Sequence, residues 1–228
     1  MTAGKPASTL GERPPAAGAH AAAGAGLKGA PAGQEAAATA PSTPLWASQL
    51  DELEAVVRWL RTRAPYLKEL ADALAQAIEA GGRLYIFGNG GSATQASHFA
   101  TELVGRFRRN RRPLPAQALP ADGSLLTCIA NDFDFEQVFS RQLEAFGRPG
   151  DVAVGLTTSG RSPNVLRGLE TARRMGLATV GFCGRDDAAL GPLCDWVVAV
   201  PAGDTARVQE GHLAVIHLLC HSLDARFA

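Results

Sequence analysis

The chain has 228 residues, 46% of them apolar, enough for one domain with a sizeable core and hardly enough for two. Lys plus Arg and Asp plus Glu both total 22, so no basic field exists to attract nucleic acid and no such partner is expected. No apolar run approaches the roughly 20 residues that span a bilayer, so no membrane association is expected either.

Residues 1–42 are mostly Ala, Gly and Pro, with Leu10 and Leu27 almost the only large apolar side chains. Such a segment buries too little surface to offset its ordering entropy and is expected to be a disordered tail, leaving residues 43–228 as the domain. Its few arginines argue against a transit peptide, and it lacks the Leu-rich centre of a secretory signal. Cys128, Cys183, Cys194 and Cys220 form no C-x-x-C pair and lie in otherwise apolar stretches, which fits a reduced, cytoplasmic protein.

From Leu45 to Ile78, apolar residues recur mainly every three, four or seven positions, predicting a helix with a break expected near Pro65. This helix offers more apolar surface than one small sheet needs, pointing to a homo-oligomer. Strand-length apolar runs follow at Leu84–Phe87, around Ala116–Leu119, and at Val152–Leu156, Ala178–Phe182 and Trp196–Val200, with helical patterns between most of them. Continuous apolar strands imply a sheet buried on both faces. The predicted fold is therefore α/β, a three-layer α/β/α sandwich around a central five-stranded parallel sheet.

Two strand-to-helix junctions carry chemistry. The first, Phe87-Gly88-Asn89-Gly90-Gly91-Ser92, precedes a helix predicted over Ala93–Phe107, where glycines let backbone N–H groups approach an anion. Many α/β proteins need such a turn merely to reverse the chain. It is not G-x-G-x-x-G, so no nucleotide cofactor is inferred. The second, Thr157-Thr158-Ser159-Gly160-Arg161-Ser162-Pro163-Asn164, sets hydroxyls before a helix starting near Pro163. A simple N-cap would explain Ser162 alone; so many hydroxyls suit a phosphate that brings its own charge. A nucleotide triphosphatase is not indicated, because no Walker lysine follows the glycine.

His98 and Glu102 stand four apart and share a helix face, with Arg106 continuing the row; taken alone such a pair is more often a surface ion pair. A last helix opens at Asp204 and carries Gln209, His212, His217 and His221 among apolar positions. Three histidines there invite a metal, although histidines satisfied within a core are commoner.

Taken together, Gly88–Ser92, His98-Phe99-Ala100 with Glu102 and Gly105-Arg106, Asn131-Asp132-Phe133, Thr158-Ser159-Gly160 with Ser162, and Ala206–Glu210 with His217 resemble the phosphoheptose isomerases of the sugar-isomerase (SIS) fold over roughly residues 45–226. The resemblance implies an aldose–ketose isomerase acting on sedoheptulose 7-phosphate, with Glu102 and His217 as catalytic acid and base. It implies that Asn89, Gly90, Gly91, Ser92, Asn131, Asp132, Glu102 and Gln209 bind the sugar and that Thr157, Thr158, Ser159 and Ser162 hold the phosphate. It also implies one zinc per subunit on His98, Glu102, Gln209 and His217, and a homotetramer. The rival reading is a non-catalytic SIS protein, a phosphosugar sensor or a protein that binds the replication initiator. Such a protein has no need of both proton-transfer groups.

Overall fold

The computed structural model describes residues 45–228; the tail expected over residues 1–42 lies outside the described residues. Five strands, β1 (Leu84–Gly88), β2 (Ala116–Ala118), β3 (Val152–Leu156), β4 (Ala178–Cys183) and β5 (Trp196–Ala199), pair in parallel in the order β2-β1-β3-β4-β5. The helices are α1 (Leu45–Glu79), α2 (Gly91–Val104), α3 (Gly123–Asp132), α4 (Ser140–Phe146), α5 (Pro163–Arg174) and α6 (Thr205–Arg226).

Alternation along the strands builds two cores, since neighbouring side chains point to opposite faces. Leu84 and Ile86 of β1, with Val152, Val154 and Leu156 of β3, pack against α1, α2 and α6. Tyr85 and Phe87, with Ala153, pack on the other side against α4, α5 and Ile129 of α3. Both faces are covered, and the expected three-layer sandwich is the observed one.

Helix α1 runs unbroken through Pro65, contrary to the expected interruption. Proline removes one helical hydrogen bond, but the turns after it bury Leu67, Leu70, Leu74 and Ile78, and this packing holds the helix together across the defect. Tyr66, beside that proline, spans to the edge strand β5: its hydroxyl donates to the Val197 carbonyl at 3.1 Å and accepts from the Val197 N–H at 2.9 Å. An edge that would template pairing with another chain is thus partly satisfied from within. The N-terminal end of α1 is different, because Leu45, Trp46 and Leu50 remain exposed.

Helix α6 starts where predicted, capped by the Asp204 carboxylate, which accepts from Ala206 N and Arg207 N. Of its three histidines, His221 is exposed and His212 is fully buried. His212 Nε2 lies 3.0 Å from the Cys183 carbonyl, and its ring stands edge-on to Phe182. Burial pushes its pKa down to about 4, against the smaller opposing pull of that carbonyl. His212 is a neutral core residue.

A group whose folded pKa is depressed below its unfolded value binds its proton more readily in the unfolded chain, so stability falls as pH drops from the unfolded pKa toward the folded one. Between pH 6.5 and about 4, His212 should therefore remove on the order of 3 kcal/mol of stability. Thermal unfolding measured across that range should show a shallower pH slope in His212→Gln than in the unmodified protein. Equal slopes would assign the acid sensitivity to other groups.

Candidate active site

All strands being parallel, every strand-to-helix turn falls at one end of the sheet. The strand order reverses between β1 and β3, so the helices that follow them leave on opposite faces and a crevice opens at their carboxyl ends, where open α/β sheets bind ligands. Both singled-out junctions lie there. They are tied together by a reciprocal pair of hydrogen bonds, each 2.8 Å, between the carboxamides of Asn89 and the buried Asn164.

The loop after β3 is built around its hydroxyls. Thr157 is buried, and its Oγ1 lies 2.9 Å from Ser162 Oγ and 3.3 Å from Ser159 Oγ. Ser159 Oγ also accepts from Arg161 N at 3.1 Å. Ser162 occupies the N-cap position of α5, yet its side chain makes no cap hydrogen bond; it turns to Thr157 instead. No side chain therefore caps the start of α5, the kind of position at which helix N-termini bind phosphate. Gly160 has φ +70°, and a Cβ there would collide with the Asp186 carbonyl, so only glycine allows the loop to turn under that segment. Arg161 leans out to an exposed ion pair with Asp186 rather than into the loop.

On the β1 side, Asn89 is half-buried, Ser92 is buried in the first turn of α2, and Gly90 and Gly91 are exposed. The helix begins two residues earlier than the sequence pattern suggests. The Gln209 carboxamide rests directly on Gly91, where any Cβ would displace it. Gln95 donates to the Gln209 carbonyl at 2.6 Å. That role for Gln95 is absent from the motif reading, although its position one turn before His98 places it on the same face.

Further along α2, His98 Nε2 faces His217 Nε2 of α6 at 2.9 Å, with the rings edge to face. Glu102 Oε1 lies 3.7 Å from His98 Nε2. The His98 and Glu102 side chains are 37% and 20% exposed, so both are reachable and neither is a free surface group. A close imidazole pair requires one ring to donate and the other to accept. Among the described residues, no group of three or more His, Cys, Asp or Glu side chains is close enough to hold a metal. Of the expected ligands, His98 stands against both His217 and Glu102, while Gln209 sits two turns earlier on α6 against Gly91.

Helix α2 ends at Val104, so the exposed Arg106 lies beyond it and does not continue the His98–Glu102 row. Asn131 and Asp132 are exposed at the end of α3 and hydrogen-bond to each other at 2.8 Å. The nearby Arg141 guanidinium covers the exposed Phe133 ring, 3.7 Å from its centroid.

The SIS domain family matches residues 50–184. The phosphoheptose isomerase of Trichlorobacter lovleyi is 51% identical over 156 residues, covering 68% of this chain and 80% of that protein. The chain belongs to the phosphoheptose isomerase family. The phosphoheptose isomerase of Paramagnetospirillum magneticum is 52% identical over 163 residues, covering 72% of this chain and 84% of its own length. The solved structure of the family member from Neisseria gonorrhoeae superposes with a TM-score of 0.73 at 34% identity, covering 79% of this chain and 97% of that one. Family membership and the five-stranded parallel sheet agree with the expectations drawn from the motifs.

Proposed function

We propose that the protein converts sedoheptulose 7-phosphate to D-glycero-D-manno-heptose 7-phosphate by proton transfer through an enediol. The observation that carries this reading is that a carboxylate and facing imidazoles, Glu102, His98 and His217, are kept together and accessible between α2 and α6. A protein that only binds a phosphosugar needs the hydroxyl loop but has no use for this set.

In the proposed reaction the hydroxyls of Thr157, Thr158, Ser159 and Ser162, with the α5 N-terminus, hold the phosphate. Asn89, Gly90, Gly91, Ser92, Asn131, Asp132 and Gln209 hold the sugar. The Glu102 carboxylate takes a proton from C1, and the C1–H electron pair becomes the C1=C2 bond as the C2 carbonyl oxygen is protonated, giving the enediol. Loss of the O1 proton then forms the C1 aldehyde, and a proton is returned to C2. His217 is the group that gives and takes the oxygen protons. Anchoring the remote phosphate fixes the reacting carbons against both groups.

Zinc is proposed on His98, Glu102 and His217, with Gln209 completing the set as the family resemblance implies. Two imidazole nitrogens and a carboxylate suit zinc, and the converging Nε2 atoms supply the donors, although Glu102 must move inward to join them. When bound, the metal would polarise sugar oxygens as a Lewis acid.

A cytoplasmic homotetramer is proposed with sites shared between copies. Glu102 lies eleven residues after Gly91, about 16 Å along α2, which is further than an extended seven-carbon sugar reaches. This separation supports a site in which the hydroxyl loop of one copy faces the proton-transfer groups of another. The exposed Leu45, Trp46 and Leu50 of α1 offer apolar surface for such assembly.

Steady-state kinetics with sedoheptulose 7-phosphate should show kcat falling about 10²–10⁴-fold in Glu102→Gln and in His217→Asn, with binding little changed. Ser159→Ala should instead raise KM. Near-normal kcat in both catalytic variants, or binding without turnover in the unmodified protein, would replace the isomerase with a sensor. Light scattering should give the mass of four chains. Co-assembling Glu102→Gln subunits with Ser159→Ala/Ser162→Ala subunits should restore activity absent from either alone, whereas sites contained within one chain would stay inactive in the mixture. Elemental analysis should find one zinc per chain, and chelation should abolish turnover; full activity in chelator without bound zinc would leave acid–base chemistry alone.

A further inference from the structure

We propose that Arg111 and Asp224 form a buried clamp that sets Glu102 against His217, making Arg111 a positioning residue for proton transfer. The inference rests on the isomerase reading above and concerns how that site is kept in register.

Both charges of this pair are out of solvent, the Arg111 side chain 0% and the Asp224 side chain 2% exposed. Arg111 Nε donates to Asp224 Oδ1 at 3.1 Å. Its Nη2 donates to the Glu102 carbonyl at 2.8 Å, and its Nη1 to the carbonyls of Leu103 and Arg112, each at 2.9 Å. The Glu102 and Leu103 carbonyls belong to the last turn of α2, where no following turn supplies an N–H. A cation at that end also answers the helix dipole. Asp224 Oδ2 in turn accepts from Arg109 N at 2.8 Å and Arg108 N at 3.3 Å, so α6 holds the whole segment after α2.

The geometry links the two proposed catalytic groups by a short path. Asp224 lies seven residues after His217, almost two turns along the same face of α6. Arg111 reaches from Asp224 to the backbone of Glu102. Cys220, between His217 and Asp224 on α6, has its thiol pushed up to about 12, chiefly by burial, with the Glu102 charge adding to the rise. The Glu102 carboxylate itself stands 3.7 Å from His98 Nε2 and is only 20% exposed. At the other end of the seam between α2 and α6, Gln95 grips the Gln209 carbonyl, so the two helices are fastened on both sides of the His98–His217 contact. Of Glu102, Arg111 hydrogen-bonds only the main chain, and its effect on the reaction would come through placement, to which proton transfer is sensitive at the scale of an ångström. A lysine could keep the charge but not the planar fork that serves four acceptors at once.

The test uses the full-length protein, with Arg111→Lys and Asp224→Asn measured beside the unmodified enzyme by kcat, KM and thermal unfolding. Each variant should lose at least about tenfold in kcat while KM shifts less than about threefold, at temperatures where unfolding shows it intact. In a Glu102→Gln background, Arg111→Lys should cost less than about twofold more, because a residue acting through Glu102 has nothing left to position. Should Arg111→Lys be too unstable to purify, Asp224→Asn, which preserves shape and can still accept the Arg109 N–H, carries the same expectations. A lowered melting temperature with unchanged kcat, or an equal loss in both backgrounds, would overturn the proposal and leave a purely structural pair. An unmodified protein that fails to convert the sugar defeats the isomerase reading; full-rate variants beside an active unmodified protein defeat this inference alone.

Discussion

The reversal of strand order between β1 and β3 is the constraint on which the rest of the structure depends. A parallel sheet places all its strand-to-helix turns at one end, and the reversal sends α2 and α5 to opposite faces, leaving the two turns to border one crevice. Neither turn could serve a ligand if it drifted independently. The reciprocal Asn89–Asn164 bonds prevent this with a flat, four-atom contact between the loops. It is satisfied on both sides, which matters because Asn164 is buried and an unmatched carboxamide there would be costly.

Much of this architecture was legible in the residues. Strand runs such as Val152–Leu156 can be recognised because burial on both faces removes polar positions, and the hydroxyls of the β3 loop stand out because an N-cap accounts for Ser162 alone. Pro65 misled because a local rule about one hydrogen bond was outweighed by the packing of Leu67, Leu70 and Leu74, which depends on partners far along the chain. Arg106 falls in the spacing of the His98–Glu102 row, but the helix ends two residues before it, and side-chain spacing alone does not mark a helix end. The Asn89–Asn164, Gln95–Gln209 and Arg111–Asp224 ties join residues 75, 114 and 113 positions apart, and no spacing pattern reports such pairs.

Arg111–Asp224 also illustrates what a buried ion pair is for. Removing two charges from water costs several kcal/mol each, and well-packed apolar residues commonly do as well or better for stability. What apolar residues cannot do is bind the last carbonyls of α2 and the N–H groups of Arg108 and Arg109 in one fixed arrangement. Whatever its net stability, the pair ties the end of α2 to α6.

The two inward histidines of α6 show how the same side chain divides between structure and chemistry. His212 is enclosed, set edge-on to Phe182 and committed to the Cys183 carbonyl, and its depressed pKa keeps it uncharged where the enzyme would work. Five residues later, His217 is only partly buried, and its Nε2 meets another imidazole rather than a backbone group. A core has no reason to oppose two basic nitrogens, since one must surrender its proton for the contact to hold. Substrate oxygens or a cation could engage both rings at once, and the nearby Glu102 carboxylate would compensate the positive charge that either event brings. In the proposed reaction this seam between α2 and α6 is where the change of charge that accompanies proton transfer would be taken up, away from the enclosed His212.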